Sequence, residues 1–296
     1  MKRREFIKGS ILAAALPGLP PNNETKREFH LFAKCFQQMS APELAEFAAK
    51  AGFAGIEWPV RPNGFIKPER VREELPAAIE AGRKQGLKCE MIVTNINSPE
   101  TQYAETILKT ARDCGVKVYR MGYYAYDKDL PVSGSIDKIR RQFAAMEGLS
   151  RTCGMTAGYQ NHSSFGRVHF GGLVWDIHEV IRELDPQYVS SQYDVMHALV
   201  ETSSSWCKGM DLIHGHIRSA CLKDFYWVPS DKNPKDRMFQ VCPAGEGIVA
   251  WREYADLFRK LNIRGPVSIH CDYPMEKNRL LELVKKEIDY FKGVLG

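Results

Sequence analysis

The chain reads as a single (β/α)8 TIM barrel, and three features of its 296 residues lead to that fold class. Short apolar runs of strand length recur eight times, each followed by a helix-length segment with 3.6-residue periodicity. The first run leads into Gln37-Gln38-Met39-Ser40, without the phosphate-cradling glycines that open a doubly wound sheet, the competing architecture. Polar residues also gather where the runs end, which is where a barrel of this kind keeps its chemistry.

The expected strands are 30–36, 55–59, 87–94, 116–122, 155–161, 187–194, 217–223 and 266–272. Ser40-Ala41-Pro42-Glu43 opens the first helix with a capping serine, an early proline and an acidic first turn, and Gly52 closes it. Helices over 68–85, 100–114 and 136–153 stop at Gly86, Gly115 and Gly154. Leu173, Ile177, Val180, Ile181 and Leu184 stripe the next helix, and segments 203–214, 250–261 and 276–294 complete the series. The stretch 225–249 is the longest connection. Trp227 and the Pro243-Ala244-Gly245-Glu246-Gly247 turn suit a lid or a wall for stacking a sugar ring, although Trp227 could equally plug the loop's own small core.

A hydrophobic content of 44% and a charged content of 26% suit one large domain with a full core. The net charge is +5, but Lys2, Arg3, Arg4 and Lys8 against Glu5 place +3 of it in residues 1–21, leaving +2 for the rest. No basic stripe interleaved with aromatics is present, which argues against nucleic acid as a partner. The eight cysteines (35, 89, 114, 153, 207, 221, 242 and 271) form no C-x-x-C pair, so neither a zinc ribbon nor a redox motif is indicated.

Residues 1–21 have the three-part form of a bacterial export signal: a basic start, an apolar stretch over 11–19, and small residues Ala13-Ala14-Ala15 for cleavage. Arg3-Arg4 with Phe6 and Lys8 resembles a twin-arginine signal. The apolar part is short for a membrane span. The expectation is therefore an exported, periplasmic protein with a 1–21 leader, a barrel domain over 29–296 and no membrane partner once the leader is removed. A homo-oligomer is compatible with the pattern.

The stretch Gln192-Tyr193-Asp194-Val195-Met196-His197 is the most informative. It ends an apolar strand on an acid and sets an imidazole three residues later, on the following turn. That pair suits metal binding or proton transfer; the plainer reading is that Asp194 caps the next element and His197 is an ordinary loop histidine. Other strand exits add Glu57, Arg120, Gln160 followed by His162, Cys221 with Lys223, and His270 with Asp272, while Lys34 interrupts the apolar first strand. Burying so many polar groups unpaired would cost a few kcal/mol apiece, so a site explains them better.

In barrel order, Gly158-Tyr159-Gln160-Asn161-His162, Asp194-x-x-His197, Leu222-Lys223-Asp224-Phe225, Pro243-x-Gly245-Glu246-Gly247 and Ser268-x-His270-x-Asp272-Tyr273 resemble the xylose isomerase-like barrel family of sugar phosphate isomerases and epimerases, in its exported bacterial branch. The resemblance runs from Phe29 to the C-terminus. It implies a small-molecule carbohydrate as partner, a divalent metal held by carboxylates and a histidine from strands five to eight, and proton transfer through an enediol.

The sequence departs from that pattern where it matters. Gln160 replaces a glutamate ligand and base, Cys221 a histidine ligand, and His270 a glutamate, while Asp194 is retained. A divalent ion (manganese, zinc or iron) is expected on Gln160, Asp194 and His270, with His162 or His197 in reserve. Because Gln160 cannot act as a base, catalysis is assigned to Asp272, His270 and Lys223. Asp272 stands where exported relatives carry glutamate in a His-x-Glu-Tyr motif. Substrate contacts are assigned to Lys34, Glu57, Arg120, His162, His197, Trp227 and Glu246.

The function that follows is a sugar or keto-sugar isomerase or epimerase. A lyase acting on 3-keto-glycosides would use the same α-proton abstraction, and a non-catalytic carbohydrate-binding barrel is the reading without a metal. Cleavage at abasic DNA would need three metals and a basic groove, neither of which is visible. Replacing both leader arginines, Arg3→Lys with Arg4→Lys, is expected to block export through the twin-arginine route. Undiminished periplasmic accumulation would point to a general secretory signal instead.

Overall fold

The apolar runs become strands because each buries both faces, one inside a closed barrel and one under the surrounding helices. The computed structural model describes residues 27–164, 169–233 and 235–296; the proposed leader lies outside them. In chain order the strands are β1 (Phe29–Phe32), β2 (Gly55–Pro59), β3 (Met91–Val93), β4 (Val118–Arg120), β5 (Thr156–Gln160), β6 (Val189–Asp194), β7 (Ile217–Leu222), β8 (Asp224–Pro229), β9 (Arg237–Cys242) and β10 (Val267–Ile269). Eight of them close a parallel barrel in the order β1-β10-β7-β6-β5-β4-β3-β2, and β8 with β9 form a separate two-stranded ribbon. The single (β/α)8 barrel is the fold observed.

The helices are α1 (Ala41–Ala51), α2 (Val71–Lys84), α3 (Ala104–Asp113), α4 (Val132–Cys153), α5 (Val174–Ile181), α6 (Val195–Thr202), α7 (Trp206–Ile213), α8 (Trp251–Lys260) and α9 (Leu280–Leu295). Among the described residues none is long and apolar enough to cross a membrane. Ser40 and Glu43 form the expected reciprocal cap on α1, with the Ser40 amide 2.7 Å from the Glu43 carboxylate. Gly52 ends that helix at φ 95°, a conformation that favours glycine. In α8, Trp251, Tyr254, Ala255 and Phe258 are buried, the i, i+3, i+4, i+7 stripe that seats a helix on a barrel.

Several expected strands are shorter than their apolar runs, and the difference moves functional residues. β1 ends at Phe32 and Ala33–Phe36 is a 3-10 turn, so Lys34 rises from a turn rather than interrupting a strand. β10 ends at Ile269, which places His270 and Asp272 just beyond it, although the His270 amide still donates to Leu222 O at 3.0 Å. The two-residue alternation therefore holds for His270 and then gives way to loop geometry. α6 begins immediately after Asp194, so His197 lies in the first helical turn and not on a loop.

The stretch 225–249, expected to be a loop, is largely the β8–β9 ribbon, paired from Asp224↔Cys242 to Pro229↔Arg237. Asp224 fixes its base. One oxygen accepts from the amides of Phe225 at 2.8 Å and Val249 at 3.1 Å; the other accepts from Gly245 N at 3.0 Å and Trp251 Nε1 at 2.8 Å. Gly247 is required here because a Cβ would lie 2.1 Å from Asp224 Oδ1. The Pro-x-Gly-Glu-Gly motif is thus an anchor for the ribbon.

Glu287 of α9 ties the same turn to the segment after β10. Its Oε2 accepts from the Ala244 amide and from the Tyr273 hydroxyl, both at 3.0 Å. Burial pushes its carboxyl up to about 7, with Asp224 and Glu246 adding to the effect against those two hydrogen bonds. A carboxyl whose pKa is raised on folding binds more protons in the native state between its unfolded and folded values. Stability should therefore fall as pH rises from about 4.5 to about 7. Glu287→Gln is expected to flatten urea-unfolding stability across this window and to exceed the wild type above it. An unchanged slope would show that Glu287 is not the titrating group.

Candidate active site at the mouth of the barrel

Neighbouring strand exits β4 to β7 deliver a continuous polar chain. Gln160 Oε1 accepts from Arg120 at 2.7 Å and from the Tyr123 hydroxyl at 2.6 Å, and its Nε2 donates to Asp194 Oδ2 at 2.7 Å. Lys223 Nζ lies 3.0 Å from the same Asp194 oxygen and 2.8 Å from His197 Nε2. An ammonium has no acceptor, so His197 Nε2 must accept, which places the ring proton on Nδ1. Nδ1 then donates to Ser163 Oγ at 2.9 Å.

The electrostatics agree with that tautomer. Burial and the neighbouring Lys223 and His162 hold the His197 pKa well below its ordinary value, so the ring is neutral. Burial disfavours the Lys223 ammonium, but Asp194 and Asp272 outweigh it and raise its pKa. His162 packs against His197 with centroids 3.8 Å apart and rings tilted by 36°, and its pKa is lowered to about 4 by burial and Lys223. Asp194 also caps α6, accepting from the His197 amide at 3.2 Å. The capping role and the site role coexist because its two oxygens face different partners.

The opposite side of the mouth is built by β1, β2 and β10. Glu57 lies fully buried within the barrel, its Oε2 accepting from Ser268 Oγ at 2.5 Å and its Oε1 from Gln192 at 3.2 Å. His270 Nε2 sits 3.3 Å from Glu57 Oε2, and its ring stacks on Phe32 at 4.3 Å. Burial alone would raise the Glu57 carboxyl, but His270, Ser268 and Arg120 bring it below its ordinary value. The other His270 nitrogen faces Asp272 Oδ2 at 4.0 Å. Asp272 Oδ1 accepts from Lys34 Nζ at 3.0 Å and from Cys35 Sγ at 3.3 Å. Against burial, Lys223, His270 and Lys34 hold Asp272 well below the usual carboxylate range.

Asp194, Gln160, Arg120, Lys223, His197, His162, His270, Asp272 and Lys34 thus converge on the mouth. Two assignments change. Glu57, expected to touch substrate, is wholly buried behind His270 and orients that ring instead, because its parity on β2 points it into the barrel. Glu246 is exposed on the turn below the ribbon, where its charge acts on Glu287 and Tyr273. Trp227 is half-buried on the ribbon with its ring 5.5 Å from Phe225.

The expected metal set does not fit a divalent ion. The amide oxygen of Gln160 already receives two donors, and its nitrogen, which cannot ligate a cation, faces Asp194. The Lys223 ammonium holds the place beside Asp194, and His270 is paired with Glu57 on the other side of the mouth. Among the described residues, no group of three or more His, Cys, Asp or Glu side chains is arranged to hold a metal. Substitution of ligands by Gln160 and Cys221 therefore goes with a protein cation in the same place.

Tyr123, Ser163 and Cys35 join the site without a role assigned from the sequence, and Asn161 enters there only as part of the strand-five motif. Asn161 brackets the Asp194 backbone with two 2.8 Å bonds, and Tyr123 carries the Arg120 guanidinium 5.3 Å over its ring. Their one sequence signal is position: each follows a strand exit by one to three residues. The ion pair gives a direct test. Lys223→Met leaves a buried Asp194 without its cation and is expected to lower stability by about 3–5 kcal/mol. Adding Asp194→Asn should restore most of that loss in urea unfolding. Near wild-type stability of the single variant would dissolve the pair.

Comparison with known proteins follows the fold. Among curated protein sequences none matches the chain. A D-psicose 3-epimerase from Clostridium cellulolyticum H10, solved with D-tagatose, superposes with a TM-score of 0.68 at 11% identity, covering 90% of this chain and 99% of the other. A 3-keto-D-glucoside 4-epimerase from E. coli gives 0.67 at 14% identity, covering 90% and 100%. The probable 3-DHS dehydratase of Bacillus anthracis gives 0.64 at 16%, covering 88% and 97%. At such identities the likeness is one of fold. The family model described as "Xylose isomerase-like TIM barrel" matches residues 45–294, and the chain belongs to that family.

Proposed function

We propose that the protein is a sugar or keto-sugar isomerase or epimerase that moves a proton next to a carbonyl, using side chains of this chain as acid, base and electrophile. The observation that carries the reading is a carboxylate and an ammonium of opposite charge at the neighbouring exits of β10 and β7. An ionised Asp272, backed by His270 and Glu57, faces a Lys223 ammonium fixed by Asp194. Asp272 is the more accessible of the acids, at 17% of its side chain, so it is assigned the α-proton. As that C–H bond breaks, its electrons move to the carbonyl oxygen and form an enediolate. The developing charge is stabilised by the Lys223 ammonium, a cation already oriented by Asp194 before substrate arrives. Return of a proton from the Lys223 side to the same carbon inverts it; return to the neighbouring carbon isomerises the sugar. His270, held between Glu57 and Asp272, is the group through which Asp272 exchanges its proton.

The strong stabilisation of ionised Asp272 has a consequence. A base works best with a pKa near the working pH. Substrate that displaces Lys34 from its 3.0 Å contact would remove one cation from Asp272 and raise its basicity at the moment of use. The solved relatives, two sugar epimerases and a probable dehydratase, support a sugar-modifying role and also a second outcome. An enediolate bearing a leaving group at the next carbon eliminates it, as in a lyase acting on 3-keto-glycosides. Export by the leader, proposed from its basic start with Arg3-Arg4, its apolar stretch and its small residues, would favour free or oxidised sugars over sugar phosphates.

Asp272→Asn is nearly isosteric and is expected to fold normally while losing about a hundredfold or more in turnover, the scale of a general base. Exchange of the substrate α-hydrogen in deuterated water reads the step itself. Full exchange by the variant would leave His270 or Lys223 as the base, and absence of exchange by the wild type across free and 3-keto sugars would overturn the reading.

A further inference from the structure

Ion pairing at the mouth is unequal. Asp194 holds Lys223 at 3.0 Å, Asp272 holds Lys34 at 3.0 Å and Glu57 holds His270 at 3.3 Å. Each of these carboxylates has its partner, and two guanidiniums remain. Among the described residues Arg61 and Arg120 form no ion pair, and Arg120, 6% exposed, keeps a buried Nε without a hydrogen-bond partner. A buried guanidinium with no carboxylate in contact is costly, and the neutral Gln160 oxygen and the more distant charge of Glu57 relieve it only in part.

The backbone brings these two arginines to one space. Registers Pro59↔Val93 and Val93↔Arg120 put Pro59 and Arg120 at one level, with β3 between them. Arg61 follows two residues later, in phase with the inward-facing Glu57, so it rises over the same rim about 10 Å from β4 by strand spacing. Its own backbone is held in a closed turn: its amide donates to Ile66 O at 3.2 Å, its carbonyl accepts from Gly64 N at 2.8 Å, and Ile66 N donates to Pro59 O at 3.0 Å. Gly64 leaves room for the arginine stem, since a Cβ there would stand 3.0 Å from Arg61 Cγ. Half-burial and the charge of Arg120 lower the Arg61 pKa, as they do when two guanidiniums share a space.

We propose that Arg61 and Arg120 form a clamp for a carboxylate, and that the substrate of this site is a sugar acid. The inference rests on the sugar-active reading of the mouth and adds the substrate's charge. Planar guanidiniums match a carboxylate by paired hydrogen bonds. A phosphate is the poorer occupant, because phosphate sites draw on clustered backbone N–H groups at a helix start, and the residue after Arg61 is Pro62, which has none. With the acid anchored on the β2–β4 side, the rest of the sugar extends toward Asp272 and Lys223.

Calorimetric titration with gluconate, glucuronate and galacturonate, beside glucose, galactose and glucose 6-phosphate, tests the clamp without requiring turnover. The sugar acids should bind at least about tenfold more tightly than the neutral sugars, as expected of a charge-assisted pair, and added salt should weaken them. Arg61→Ala should remove that preference while leaving neutral-sugar affinity and thermal unfolding unchanged, and Arg61→Lys should keep part of it. Equal affinity for acids and neutral sugars, a preference that survives in Arg61→Ala, or no binding by any acid of the panel would overturn the clamp. Tighter glucose 6-phosphate binding would overturn the carboxylate. Acids bound without α-hydrogen exchange would sink the isomerase reading and leave the clamp standing; exchange of neutral sugars by a protein that binds no acid of the panel would do the reverse.

Discussion

The Asp194–Lys223 pair organises the mouth of this barrel. Both groups are almost wholly buried, and a buried ion pair persists only when its remaining hydrogen-bonding capacity is met. Here it is met in both directions. Asp194 takes the Gln160 amide, which orients Gln160 toward Arg120 and Tyr123; Lys223 takes His197, which sets the tautomer of that ring and its bond to Ser163. One ion pair therefore decides the orientation of an amide, the protonation of an imidazole and the placement of a guanidinium. It also places a fixed cation beside Asp194, and a divalent ion there would have to displace it.

The opposite wall has the same logic with a different middle member. Glu57 sits in the barrel interior, a position that in most such barrels is filled by branched apolar side chains. Ser268, Gln192 and His270 satisfy it, and the result is a histidine held between two carboxylates and stacked on Phe32. An imidazole so constrained can pass a proton along a line without losing its orientation. Where the two walls meet, the adjacent exits of β7 and β10 bring the Lys223 ammonium and the Asp272 carboxylate near enough to stabilise each other's charge.

The β8–β9 ribbon and the segment after β10 are fastened to each other, and Phe239 of the ribbon packs edge-on against His197. Asp224 gathers four donors at the base of the ribbon, and Glu287 joins the turn at Ala244 to Tyr273, the neighbour of Asp272. Glycines 245 and 247, part of the motif that carries the family resemblance, are there because Tyr290 and Asp224 leave no space for a Cβ. In this motif the recognisable residues fix a support and not a reactive group.

The sequence by itself determined the barrel. Strand-length apolar runs alternating with amphipathic segments, the Ser40–Glu43 cap and the glycine stops at Gly52 and Gly154 are local signals set by backbone sterics and hydrogen bonding, and each is where it was expected. It also placed Asp194, Lys223, His270 and Asp272 at strand exits, because period-two alternation follows from the strand itself. The tertiary structure decided what these residues do. Whether Gln160 ligates a metal or bridges Arg120 to Asp194, and whether Glu57 meets substrate or supports His270, depends on partners 34 to 213 positions away in sequence, brought within about 3 Å only by closure of the barrel. Arg61 went unremarked for the same reason: an unpaired charge is defined by what surrounds it, and no stretch of sequence shows that.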